Sequence, residues 1–153
     1  MATRKVSRES SIMMARSCAS ANLRRAARVV TRHYDKALRA SGITATQLPL
    51  LAAINAGFNG SIRELAEAVD LERTTITREL EVLQRRGLVS AIAGEDPRAT
   101  GFELTSHGDR TLSAAYRAWQ RAHDEIAGIY GNLDKLLTQI REFGRKVNSL
   151  GGE

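Results

Sequence analysis

The sequence predicts a mainly α-helical chain with one small β-hairpin set between long helices. Three observations predict it. Apolar residues recur at steps of three and four along both ends of the chain. Two helix-start signatures, Thr44 with Gln47 and Ser61 with Glu64, open short helices in the middle. Gly87 then stops a helix, and LVSAIA (88–93) and FEL (102–104) follow as short strands around the turn-rich GEDPRATG (94–101).

The first long helix runs from about Ile12 to Arg39. Ala19, Leu23, Ala26, Val30, Tyr34 and Leu38 form one apolar stripe, and Ser41-Gly42 ends it. Thr44 opens the second helix, with Leu48, Leu51, Ala52 and Ile54 as its buried set. Pro49 lacks a backbone donor, so a kink or a late helix start is expected. Leu65, Ala66 and Val69 mark a helix of about two turns. Asp70-Leu71-Glu72 is a turn, and a helix from Arg73 to Arg86 follows. Thr105 caps the next long helix. There Leu112, Ala115, Trp119, Ala122, Ile126 and Ile129 form one seam, and Leu133, Leu136, Ile140, Phe143, Val147 and Leu150 form a second, with Gly128 and Gly131 interrupting between them. Such seams require partner helices, from the first helix, from a second subunit, or from both. Leu112, Trp119, Leu133, Leu136, Ile140, Phe143 and Val147 are the expected dimer contacts.

Composition narrows the function. The chain has 153 residues, enough for a single domain, and its one cysteine, Cys18, allows no internal disulfide. The longest apolar run, LPLLAAI (48–54), is too short to span a bilayer, and the start lacks the apolar core of a secretory signal. A protein of a reducing, cytoplasmic compartment without membrane association is expected. His33, His107 and His123 lack metal-ligand spacing, and there is no Gly-rich phosphate loop. No catalytic residues, metal or cofactor are therefore expected. The net charge of +6 favours an anionic partner. That charge is uneven: residues 1–60 carry +8, residues 61–104 carry −3 and residues 105–153 carry +1. The excess centres on RRAARVVTR (24–32), and arginine outnumbers lysine nineteen to four. Arginine bias suits phosphate contact or ion pairs at an interface.

A capped helix, a tight turn, a second helix and a hairpin make a winged helix–turn–helix, placed at about 44–104 between dimerisation helices at about 12–41 and 105–150. At about 100° per residue, Ile76, Leu80 and Leu83 share one face of the second helix. Thr74, Arg78, Glu81 and Arg85 lie opposite, with Thr75 and Thr77 at the flanks. Arginine can hold guanine through two hydrogen bonds, and threonine can meet a thymine methyl or a phosphate. Arg73, Thr74, Thr75, Thr77, Arg78 and Arg85 are thus candidates for contact with double-stranded DNA. Arg98 on the hairpin tip is a candidate for the minor groove, with Asp96 supporting the loop. Glu64, Glu67, Glu72, Glu79 and Glu81 would repel phosphate unless turned away or paired, so affinity must come from Arg73, Arg78, Arg85, Arg86 and Arg98 as a local group.

Residues 18–150 resemble the MarR family of bacterial transcription regulators. The resemblance rests on LRRAARVVTRHYDKALRASGITATQ (23–47), LAEAVDLERTTITRELEVLQRRGLV (65–89) and EDPRATGFELTSHG (95–108). It implies a homodimer whose N-terminal helix and last two helices interlock, reading a pseudo-palindromic operator. It also implies a repressor released by a phenolic or other small aromatic ligand bound between the dimer and DNA-binding regions. Pro49 and the acidic module depart from the family pattern. Two alternatives stand beside this reading. One is a helical dimerisation or adaptor protein that has lost DNA binding. The other is a thiol-based sensor acting through Cys18. A peroxide-sensing branch of the family places a Cys where Ser20 stands here. Tyr34 matches that branch's first tyrosine, but Ala45 replaces the second.

Overall fold

The computed structural model describes residues 5–93 and 100–150. Seven helices and one hairpin follow in order: α1 (Arg8–Ser17), α2 (Ala19–Leu38), α3 (Gln47–Asn55), α4 (Ile62–Val69), α5 (Arg73–Arg85), β1 (Val89–Ala93), β2 (Thr100–Leu104), α6 (Ser106–Tyr130) and α7 (Leu133–Asn148). The hairpin is antiparallel, pairing Val89 with Leu104 at its base and Ala93 with Thr100 at its far end. Its second strand gains a further bond from Phe102 N to the carbonyl of Asn59, which ties the hairpin to the loop before α4.

The expected single helix from Ile12 to Arg39 is two helices. Cys18 is extended, with ψ 110°, and separates α1 from α2. Ser7 caps α1, which has no buried residue. The expected buried set of α3 is also corrected. Leu50, Leu51, Ala53 and Ile54 are buried, Leu48 is half-buried and Ala52 is exposed. The helix starts late, at Gln47, so Pro49 falls in the first turn, where a missing N–H costs nothing. Thr44 and Gln47 exchange the expected bonds: Gln47 N donates to Thr44 Oγ1 and Thr44 N to Gln47 Oε1. Ser61 Oγ caps α4 by accepting from Glu64 N, while Glu64 Oε2 reaches back to Gly60 N. Gly87, with φ 66°, closes the α5 end in the left-handed region where glycine carries little strain. Gly128 does not interrupt α6; the break falls at Gly131.

The core sits in the central module. Leu50, Leu51, Leu65, Ile76, Leu80, Leu83 and Leu88 are fully buried there, joined by Leu38 from the end of α2. The hairpin and α6 are seated on this core at Leu88. Thr105 caps α6 by accepting from Gly108 N, and Thr105 N donates to Leu88 O. Gly108 is obligatory at this seat, because a Cβ there would lie 2.0 Å from the Leu88 carbonyl oxygen. Gly108→Ala is expected to cost about 1–3 kcal/mol, a Tm fall of roughly 2–12 °C by calorimetry. An unchanged Tm would contradict this packing.

The outer helices use only part of their seams within the subunit. Ala115, Ala122 and Leu133 are buried, and Leu112 and Trp119 pack half-buried against the subunit's own core. The second seam is left open: Ile140, Phe143 and Val147 are 43–48% exposed and Leu150 is 84% exposed.

Candidate nucleic-acid interface

The face of α5 follows from where its apolar residues go. Ile76, Leu80 and Leu83 are fully buried, which anchors one side of the helix in the core. Arg73, Thr74, Thr75, Thr77, Arg78 and Arg85 are all exposed on the remaining surface. Arg78 and Arg85 border a shallow groove shared with Thr75, Glu79, Glu81 and Val82. Seven residues separate the two arginines, which sets them about 10 Å apart along the helix axis. Thr77 Oγ1 donates to Arg73 O at 2.9 Å. Its proton is thus committed, leaving the methyl and the oxygen lone pairs to face outward. Asp96 and Arg98 lie outside the described residues.

Three of the five glutamates that would repel phosphate are occupied. Glu64 binds Gly60 N, Glu67 pairs with Arg63 at 2.8 Å, and Glu79 accepts from Gln47 Nε2 at 3.1 Å. Arg86 requires a correction. It was expected to join the phosphate-binding group, but its guanidinium donates to Gly42 O and to Gln47 Oε1. With Gln47, which is buried, and Glu79 it forms a chain that fastens the C-terminal end of α5 to the turn after α2. Sequence reasoning missed this role because the partners lie 39 and 44 residues away. Only Glu67 meets a cation; Glu64 and Glu79 accept from neutral N–H groups and keep their charge, so affinity for DNA rests on the local arginines of α5.

A cavity of about 680 Å³ lies between α3 and α6. Leu48, Pro49, Leu112, Tyr116 and Trp119 supply apolar and aromatic wall, and Arg117 supplies a cation. Behind it the rings form a stack. Tyr116 lies on Trp119 with centroids 5.9 Å apart, and Trp119 on His123 at 4.8 Å. His123 Nδ1 is hydrogen-bonded to the Tyr34 hydroxyl of α2 at 3.1 Å, and burial pushes the Tyr34 phenol up from its ordinary value. Beside it, His33 Nε2, from the residue preceding Tyr34, stands 3.2 Å from Glu125 Oε2. The histidines thus join α2 to α6. Among the described residues, no three His, Cys, Asp or Glu side chains converge as metal ligands, and no helix is long and apolar enough to cross a membrane.

Cys18 is exposed at the junction of α1 and α2. Tyr34 of the same chain is about 24 Å further along the helix axis, too far to activate its thiol.

An exposed α5 held by α4 and followed by a two-stranded hairpin defines a winged helix–turn–helix protein. Comparison with known proteins agrees: the model of the MarR family matches residues 41–99. The M. tuberculosis transcriptional regulator MosR, solved in complex with DNA, is 38% identical with a TM-score of 0.80. That match covers 87% of this chain and 98% of MosR. The repressor CouR, bound to a 23-mer DNA duplex, is 24% identical with a TM-score of 0.75, over 86% of this chain and 96% of its own. PcaV from Streptomyces coelicolor, in complex with its natural ligand, is 21% identical with a TM-score of 0.76, over 95% and 98%. The latter two support the fold alone. No curated protein sequence matches significantly. The chain belongs to the MarR family of transcription regulators.

Proposed function

We propose that this regulator is a homodimeric, sequence-specific DNA-binding repressor released by a small aromatic ligand. The observation that carries the proposal is the outer face of α5, where Thr74, Thr75, Thr77 and Arg78 project from a helix anchored by Ile76, Leu80 and Leu83. In the major groove, Arg78 and the threonines read base edges, while Arg73 and Arg85 take phosphates. Arg98 of the hairpin tip enters the minor groove, supported by Asp96. The open seam of α7, together with α1 and α2, forms the dimer interface and sets two α5 helices one DNA turn apart, about 34–36 Å. Cys18 takes no part, and the chain carries out no catalysis. The readout is DNA binding in the bacterial cytoplasm.

Fluorescence anisotropy tests this directly. At physiological salt, a duplex selected by the protein is expected to bind about 10³-fold or more tighter than its scrambled counterpart. Equal affinity for both would refute sequence-specific regulation.

The cavity between α3 and α6 supplies the release. Its volume suits a single small molecule, and it joins a helix of the DNA-binding module to a dimerisation helix. A flat aromatic carboxylate would bury its ring against Trp119 and Leu112 and place its charge at Arg117. Only a ligand that binds the DNA-free arrangement more tightly shifts the equilibrium. Against a panel of hydroxybenzoates and hydroxycinnamates, Arg117→Gln is expected to raise the concentration for half-release from DNA at least about tenfold. That is the loss of one charge-assisted hydrogen bond. An unchanged half-release concentration would remove Arg117 from the site.

A further inference from the structure

The arginines that dominate the charge of the chain are not on the DNA-reading helix. At about 100° per residue, Arg24, Arg28, Arg32, Arg25 and Lys36 fall within about 120° of one another on α2. All five are exposed. The one acid of α2, Asp35, accepts from Ala45 N at 2.7 Å, and the ion pairs among the described residues are His33–Glu125 and Arg63–Glu67. None involves the α2 cations. Arg24–Arg28, Arg28–Arg32 and Arg32–Lys36 are like-charge pairs at the spacing where side chains meet, and each destabilises the free helix.

Arg24, Arg28 and Arg32, with Ala27 and Thr31, also line an open surface depression of about 440 Å³ on α2. Three arginines therefore stand in file, about 6 Å apart along the axis, with the small Ala27 and the hydroxyl-bearing Thr31 in the same patch. The apolar stripe of α2 points the opposite way: Tyr34 meets His123 of α6, while Leu23 and Val30 stay exposed. The arginine file lies on the far side of α2 from that stripe.

We infer that the outer face of α2 is a binding site for an extended small polyanion, a molecule carrying two or more linked phosphate groups. Guanidinium forks grip phosphate oxygens in pairs, and the file spreads that grip over about 12 Å, longer than a single phosphate. A lone carboxylate in the α3–α6 cavity answers to a different cation, Arg117, so the two sites are separable.

Isothermal titration of the full chain with sodium tripolyphosphate, at a constant ionic strength of about 0.15 M, tests the site. Saturable binding at one equivalent per protomer is expected. The triple variant R24Q/R28Q/R32Q should weaken it about tenfold or more. R110Q/R121Q/R141Q removes the same charge elsewhere on exposed helix surface and should change it less than about twofold. R24K/R28K/R32K keeps the charge and loses the fork, so it should fall between the wild type and the glutamine triple. This lysine variant also decides the matter if the glutamine triple fails to fold. Absence of saturable heat, or equal weakening by both glutamine triples, would overturn the inference. So would loss of duplex DNA affinity in the α2 variant as large as its loss of tripolyphosphate affinity, which would make the face a DNA surface instead.

Discussion

Changing Leu136 and Ile140 together to Asp is expected to give a monomer or an unfolded chain, and to lower operator affinity about a thousandfold. Leu136 is half-buried and Ile140 is 43% exposed, on the same face as Phe143 and Val147. A helix of sixteen residues with one buried residue, Leu133, gains little stability from its own subunit. Its apolar stripe is stable only if covered. Two carboxylates placed in that cover cost several kcal/mol of desolvation each, with no cation arranged to meet them. Loss of the dimer separates the two half-sites, and the advantage of binding them together, about 10²–10⁴, is lost with it. Light scattering and an operator titration check both halves. A dimer of normal mass and affinity after the double change would place the interface elsewhere.

The second large effect separates reading from attraction. Arg78 is exposed in the second turn of α5, with Thr74 one turn before it, and Arg85 is exposed in the last turn. Arg78→Ala should cost about 1–3 kcal/mol at the operator and relax the preference at one base position in each half-site. Arg85→Ala should weaken all sequences evenly and reduce the salt slope by about one unit per half-site. A merely electrostatic surface would make the two variants alike. Uniform weakening by Arg78→Ala would move base reading to Thr74, Thr75 and Thr77.

The parts of the fold that were legible are those set by local chemistry. Ser61 and Glu64, Thr44 and Gln47, Thr105 and Gly87 act on backbone groups within a few residues, so their spacing alone revealed them. The α5 face was legible because Ile76, Leu80 and Leu83 alternate with polar residues at the helical period. The α3 face was not. Its sequence, QLPLLAAIN, is apolar nearly all round, so no period favours Ala53 over Ala52 as the buried alanine. The break at Cys18 was hidden for a related reason. The apolar steps run on through it, and neither Gly nor Pro marks it. Long-range bonds were out of reach altogether. Arg86 looks like any cation at a helix end until Gly42 is brought to it, and Tyr34 and His123 meet across 89 residues.

The most direct measurement is a selection of bound duplexes from a random-sequence pool by the full chain. Enrichment of two half-sites related by a dyad, with centres about 10 base pairs apart, is expected. Arg78→Ala should blur one position symmetrically in both halves. Enrichment of a single unpaired site, or no enrichment over the starting pool, would contradict the dimeric, sequence-specific reading.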